Sequence, residues 1–366
     1  MKIKIFVATP NPRDPNSFWR CLGPLGYLEK ESQHEIEISS SDHYPQGVSW
    51  NDLMKFDILF LHRPCRTDDL ILIQLAKRLN IPVWIDFDDW LFELPSWNPS
   101  QGFYNNKGTQ NFVAQCIGFS DVISVSTAEL YNAIKQINPN TVLIPNAYRS
   151  DLFTYRKENL EERLPVAYWR GTNTHDGDLC SVSDGFLGLK GIVHFFGDPT
   201  WMLLSRMKPG TFQLMGNLDP FRLTRTLYDI RPKVCLFPIF DCFFNRCKSN
   251  IAYIEAIHAG AICIAPDLPE WRREGVITYE PHNADAFRDA ANTAFDIPEN
   301  EHQEIIKKAY KSMRDSYDIT VVNQIRKNLV LSMVQPDFKM NPYSPEDQPK
   351  GIQFLSQIQG VIKQHG

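Results

Sequence analysis

Residues 237–271 read FPIFDCFFNRCKSNIAYIEAIHAGAICIAPDLPEW, and the reading of this stretch decides the fold. A short apolar strand ends in it, the polar loop FDCFFNRCKSN follows, and then come IAYIEAIHA, a glycine and the apolar run AICIA. IAYIEAIHA is apolar on nearly every face, which predicts a helix buried all round. Gly260 falls where a helix C-terminal cap belongs. One carboxylate, Glu255, lies inside that helix. A buried carboxylate left unpaired is costly, so Glu255 should have a partner. Lys248 lies seven residues earlier on the same helical face. Two readings follow. Loop amides at a helix N-terminus plus one lysine attract a diphosphate, or a Glu255–Lys248 ion pair merely packs the helix.

The same rhythm runs outward on both sides. IKIFVA, EIEIS, DILFLH, VWIDF, DVISVS and TVLIP read as strands, with helical patterns between them at Asp68–Leu79 and Ala128–Ile137. The polar stretch Arg149–Leu164 reads as a connection. Beyond it VAYWRG, IVHFFG, FQLMG, VCLFPI, AICIA and VITYE read as six more strands. Alternation of this kind predicts parallel sheets covered on both faces. Two such halves predict two Rossmann-like domains around a cleft, with ligands at the carboxyl ends of the strands. Residues 300–334 read as helices. Pro336, Pro342, Pro345 and Pro349 predict an irregular arm, and GIQFLSQIQGVIKQ a short amphipathic helix. The expected division is 1–155, 156–315 and 316–366.

The chain's 366 residues suit two α/β domains. A net charge of −5 gives no strong pull toward nucleic acid or anionic lipid. The eight cysteines form no C-x-x-C pair, and Cys235 and Cys263 lie in apolar strands. They read as reduced core thiols of a cytoplasmic protein. MKIKIFVATP has too short an apolar run for a signal peptide. No stretch approaches transmembrane length, so any membrane contact would be peripheral.

Three further motifs carry chemistry. In VAYWRGTNTHDGDL, residues 166–179, a strand ends at Gly171 and a helix starts at Asp176. Arg170 and the amides after Gly171 could stabilise a departing diphosphate. The plainer reading makes Thr174 an N-cap and pairs His175 with Asp178. In VWIDFDDWLFELP, residues 83–95, Asp86, Asp88 and Asp89 are packed closely enough to demand a raised pKa or a cationic partner. They could hold a divalent metal, supply a general base to an acceptor hydroxyl, or leave Asp86 capping a helix at Trp90. In FLHRP, His62 and Arg63 follow a buried strand. His62 could bind a ligand in the cleft, and Arg63 could bind phosphate or pair with the acids. Trp19, Trp97, Phe103 and Tyr104 could form an aromatic acceptor platform.

With these residues in view, the chain resembles the GT-B glycosyltransferases of the retaining family 4 type. EAIHAG around Glu255 resembles the segment that binds the nucleotide ribose there. Phe244, Asn245, Lys248 and Ser249 match an FN-x-x-KS loop found in a subset. Gly171, Thr172, Thr174, His175, Asp178 and Leu179 match a cleft-lining segment. Arg20, Pro24 and Leu28 match the start of the first helix. Cys247 departs from the acid often found eight residues before the ribose glutamate. The resemblance implies a GT-B fold with C-terminal helices crossing back to the first domain. It also implies transfer of a sugar, with retention, from a UDP- or GDP-sugar to a hydroxyl acceptor. The expected catalytic residues are Lys248, Arg170, Asp88 and His62, with Asp88 or Asp89 as base if the enzyme inverts. Donor binding would fall to Glu255, Asn245, Ser249, Gly171, Thr172 and His175. No tightly bound cofactor or metal is expected. The acceptor is a glycan or lipid-linked sugar by default. Hydroxylated bases of phage DNA are a second reading, and a catalytically inactive binding or assembly protein is a third.

Overall fold

The structure, a computed structural model, describes residues 2–8, 15–40, 50–153, 163, 165–341, 357–361 and 363–364. The first half is one six-stranded sheet: β1 (Ile3–Ala8), β2 (Ile36–Ser40), β3 (Ile58–His62), β4 (Val83–Phe87), β5 (Val122–Val125) and β6 (Thr141–Leu143). Its order is β2-β1-β3-β4-β5-β6, every pair parallel. The second sheet comprises β7 (Val166–Gly171), β8 (Ile192–Gly197), β9 (Phe212–Leu214), β10 (Val234–Leu236), β11 (Ile262–Pro266) and β12 (Val276–Tyr279). Its order is β12-β11-β10-β7-β8-β9, again parallel throughout. All twelve expected strands are present. β3, β4, β5, β10 and β11 are buried along their whole length, as continuous apolar runs require.

The helix Ile251–Ala259 is buried from Tyr253 onward, and Gly260 caps it in the left-handed region at φ 74°. Helix Glu299–Tyr317 packs on the second half, through Met313, Ala309 and Ile306. The chain bends at Asp318, whose side chain caps the next helix, Ile319–Met333. That helix buries Ile319, Val322, Val330 and Met333 against Ile3, Ile5 and Leu25 of the first half. Asn323 Nδ2 also donates to Pro24 O at 2.7 Å. The C-terminal helices therefore cross back, and two Rossmann-like sheets of GT-B type flank a cleft. Most of the expected connection and of the proline-rich arm lies outside the described residues. From the terminal amphipathic segment, Ile358 and Val361 are buried in the first-half core.

Two local expectations are corrected. The polar loop before Ile251 contains a helical turn, Phe243–Arg246. There is no helix at Trp90 for Asp86 to cap: Asp86 is the fourth residue of β4, which ends at Phe87.

Candidate active site

Parallel α/β sheets bind ligands where strand order reverses, outside the carboxyl ends of the strands. In the second sheet that point lies between β7 and β10. Arg170 and Gly171 end β7. The segment after β10 carries Asn245, Lys248 and Ser249 to the N-terminus of helix Ile251–Ala259. The sequence-predicted donor residues are thus brought to one place.

The partner of Glu255 is Arg170, not Lys248. Arg170 Nε and one terminal nitrogen donate to the two carboxylate oxygens at 2.9 and 3.0 Å. The Glu255 side chain is 3% exposed and that of Arg170 36%. This bidentate pair neutralises the one acid in the apolar helix. Without it the Glu255 charge would repel an incoming diphosphate. The second Arg170 terminal nitrogen makes no hydrogen bond to Glu255. Lys248 Nζ instead stands 3.5 Å from His175 Nε2 and 5.2 Å from the Phe244 ring centre.

Asp178 organises the other wall. Its carboxylate accepts from His175 Nδ1 at 2.7 Å, Phe240 N at 2.8 Å and Asn245 Nδ2 at 2.7 Å. Burial, then the charge of Lys248, lower the His175 pKa against the opposing pull of Asp178. The neutral ring donates a hydrogen bond from Nδ1 to Asp178 and presents an Nε2 lone pair to Lys248. Gly171 is needed beside it, since a Cβ there would lie 2.5 Å from the Trp169 ring and 3.0 Å from the His175 ring. Thr174 is not the N-cap. Thr172 fills that role for the turn Asn173–His175, accepting from Thr174 N at 3.4 Å. Asn245 is 1% exposed and positions Asp178; its Oδ1 has no partner among the described residues. Asn250, the residue before the helix, is equally buried, and both its side-chain polar atoms lack partners among the described residues.

Ser249 joins this wall to the first half by accepting from Asn146 Nδ2 at 2.7 Å. Asn146 Oδ1 accepts from Arg20 at 3.3 Å, and Arg20 grips Asp86 with two bonds of 2.9 and 2.6 Å. Cys247, at the position of the missing acid, points away from the donor loop into the first-half core. An acid there would be buried among Phe243, Phe244 and Trp90, so the departure from the family pattern has a packing reason.

The three acids at the end of β4 and just beyond it are divided among cations. Asp86 takes Arg20 and Ser124, Asp88 takes Arg63 and His62, and Asp89 takes Arg63. Arg63 reaches both from a left-handed backbone, φ 49°. Burial opposes ionisation of Asp88, but Arg63 and His62 hold its carboxyl well below the usual carboxylate range. A base so weakened is a poor acceptor of a hydroxyl proton near neutral pH, which leaves Asp89 as the other candidate base of the inverting reading. Burial works against the His62 imidazolium, yet Cys21 and Asp88 beside it push its pKa up to about 10. His62 therefore donates hydrogen bonds. Among the described residues no three His, Cys, Asp or Glu side chains are grouped to hold a metal. The expected aromatic platform does not form: Trp19 is buried in the second-half core, Trp97 meets Phe240, and Phe103 pairs with Tyr104.

Sequence reasoning missed Arg20–Asp86 as a pair, Asp178 as a hub and Asn250. The signal for Asp178 was present in its match to the cleft-lining segment, but two of its donors come from residues more than sixty positions away.

No protein-family model matches the chain, and no curated protein does. Solved structures do match in fold. Anabaena HepE in complex with UDP-glucose is 11% identical, covers 91% of this chain and all of its own, and gives a TM-score of 0.62. A UDP-forming α,α-trehalose-phosphate synthase from Burkholderia vietnamiensis is also 11% identical, with 91% and 98% coverage and a TM-score of 0.58. The lipopolysaccharide outer core galactosyltransferase WaaB, in its apo form, is 13% identical, with 91% and 99% coverage and a TM-score of 0.55. At these identities the likeness is one of fold, and the fold is GT-B.

Proposed function

We propose that this chain is a glycosyltransferase that moves a sugar from a nucleoside-diphosphate sugar, a UDP-sugar first, to a hydroxyl acceptor with retention. The observation that carries the reading is the convergence at the second switch point. There Arg170 neutralises Glu255, and Lys248 stands beside His175 in the segment that leads into helix Ile251–Ala259. Glu255 keeps lone pairs for the two ribose hydroxyls while Arg170 holds it. The diphosphate sits against the amides opening helix Ile251–Ala259, beside Lys248 and the unpartnered Asn250. As the sugar–oxygen bond breaks, negative charge grows on the leaving diphosphate. Lys248 and the free Arg170 nitrogen stabilise that charge. The diphosphate then takes the acceptor proton on the same face of the sugar. His62, as a donor from the first half, contacts the transferred sugar.

HepE, matched above, was solved with UDP-glucose, which supports UDP as the nucleotide to test first. The eight cysteines, none disulfide-bonded, suit a reducing, cytoplasmic setting. No helix among the described residues is long and apolar enough to cross a membrane. A glycan or lipid-linked sugar is the acceptor proposed. The experiment is incubation with UDP-glucose, UDP-galactose, UDP-N-acetylglucosamine and GDP-mannose, reading nucleotide release and the anomer of the free sugar by NMR. Release from one donor with the α-anomer formed first supports retention. A first-formed β-anomer overturns retention, and no release from any donor overturns the transferase reading.

A further inference from the structure

Trp97 lies on the first half, in a turn made rigid by Asn98, whose Oδ1 accepts from Ser100 N at 2.9 Å. Its ring does not join the first-half core. It crosses the cleft and lies on Gly177, in the first turn of helix Asp176–Ser181. A Cβ at Gly177 would lie within 2.7 Å of three Trp97 ring carbons. On its other side the ring meets Phe240 edge-on, with centroids 5.1 Å apart, and Phe240 in turn packs on His282 at 4.1 Å. Gly177 and Phe240 flank Asp178 from two directions, one as its chain neighbour and one through the 2.8 Å Phe240 N–H bond. A glycine inside a helix is unfavourable by up to about 1 kcal/mol against alanine. The Trp97 ring supplies the reason for it here.

We infer that Trp97 is a positioning residue that reads apposition of the two halves and passes it to the donor site. The ring can sit on Gly177 only when the halves are together. Seated, it fixes helix Asp176–Ser181 and the Phe240 backbone, hence Asp178, hence the orientation of His175 toward Lys248. Donor binding draws on second-half groups, so the ring is not required for it. Transfer needs both halves, so the ring is required for turnover. The turnover part of this role rests on the transferase reading above.

The test uses Trp97→Ala, Trp97→Phe and Gly177→Ala in the full chain. UDP affinity is measured by calorimetry and UDP-glucose turnover by nucleotide release. Hydrogen exchange across residues 176–181 is followed in the ligand-free protein. Trp97→Ala should bind UDP within about threefold of wild type and turn over about ten- to a hundredfold more slowly, the scale of a misplaced positioning group. Trp97→Phe, which keeps a ring, should recover most of that loss. Gly177→Ala should lose turnover similarly while melting within a few degrees of wild type, because alanine favours the helix. A purely structural contact would not separate turnover from melting in this way. Exchange at 176–181 should rise several-fold in ligand-free Trp97→Ala. The inference is overturned if Trp97→Ala and Gly177→Ala turn over within about twofold of an active wild type, or if exchange at 176–181 is unchanged. A wild type inert toward every donor sinks the transferase reading and the turnover role together; active wild type with indifferent variants sinks the role alone.

Discussion

Replacing Arg170 with Met should destabilise the protein and abolish nucleotide binding, and replacing Glu255 as well should restore the first property without the second. Arg170 and Glu255 make two charge-assisted bonds of 2.9 and 3.0 Å, with the carboxylate 3% exposed. Removing one member of a fully buried pair costs about 3–5 kcal/mol, because the other charge is stranded. Arg170 is 36% exposed, so water can enter the vacated space, and about 2 kcal/mol is the appropriate figure. For a half of this size that corresponds to roughly 4–8 °C in melting temperature. The double variant Arg170→Met/Glu255→Leu has no stranded charge and should melt within about 3 °C of wild type, since apolar replacements of buried pairs are often neutral. The assay is calorimetric melting of wild type, both singles and the double, each with and without UDP. The reasoning is refuted if Arg170→Met is as stable as wild type, or if the double is no more stable than Arg170→Met. In either case Arg170 would not be what keeps Glu255 in the helix.

Arg20→Ala should be the most destabilising of the charge substitutions, by about 3–5 kcal/mol in denaturant titration, because Arg20 and Asp86 are 0% and 3% exposed in their side chains. Acid should weaken the fold through two histidines. Burial lowers His258 and His302 to about 4, below the unfolded value near 6.5, so the unfolded chain binds their protons first. Stability from these groups is complete above about pH 6.5 and falls as pH drops toward 4, and His302→Asn should flatten that limb in pH-dependent melting. Gly171→Val should keep the fold yet lose UDP-glucose turnover by about tenfold or more, because the new side chain meets Trp169 and pushes His175 from its place; nucleotide release reads this.

The fold was legible because the strands that matter are buried on both faces and therefore spelled as unbroken apolar runs, VCL, ICIAP and ILFLH among them. The cap glycine Gly260 was legible for a local reason, its place one residue past an apolar helix. The site was legible in its members and not in its wiring. Glu255 asked for a cation, and the nearest in sequence was Lys248, yet the partner came from β7, 85 residues away. Side-chain pairing across a parallel sheet is set by strand order, which periodicity does not encode. Cys247 looked like a departure from the acid often found eight residues before the glutamate, while its burial in the opposite half's core was invisible until the halves were apposed. Asp86, Asp88 and Asp89 were visible as a cluster in need of cations, but Arg20 lies 66 residues from Asp86 and could not be assigned to it from spacing.

Nucleotide binding by thermal shift, with wild type beside Glu255→Ala and Lys248→Ala, bears most directly on the donor site. A ligand that binds only the folded state raises its stability by mass action. The account predicts that UDP or a UDP-sugar raises the wild-type melting temperature and that both variants lose the response. A wild type unmoved by every nucleotide, or variants that respond as wild type does, would contradict the assignment of a donor site to Arg170, Lys248 and Glu255.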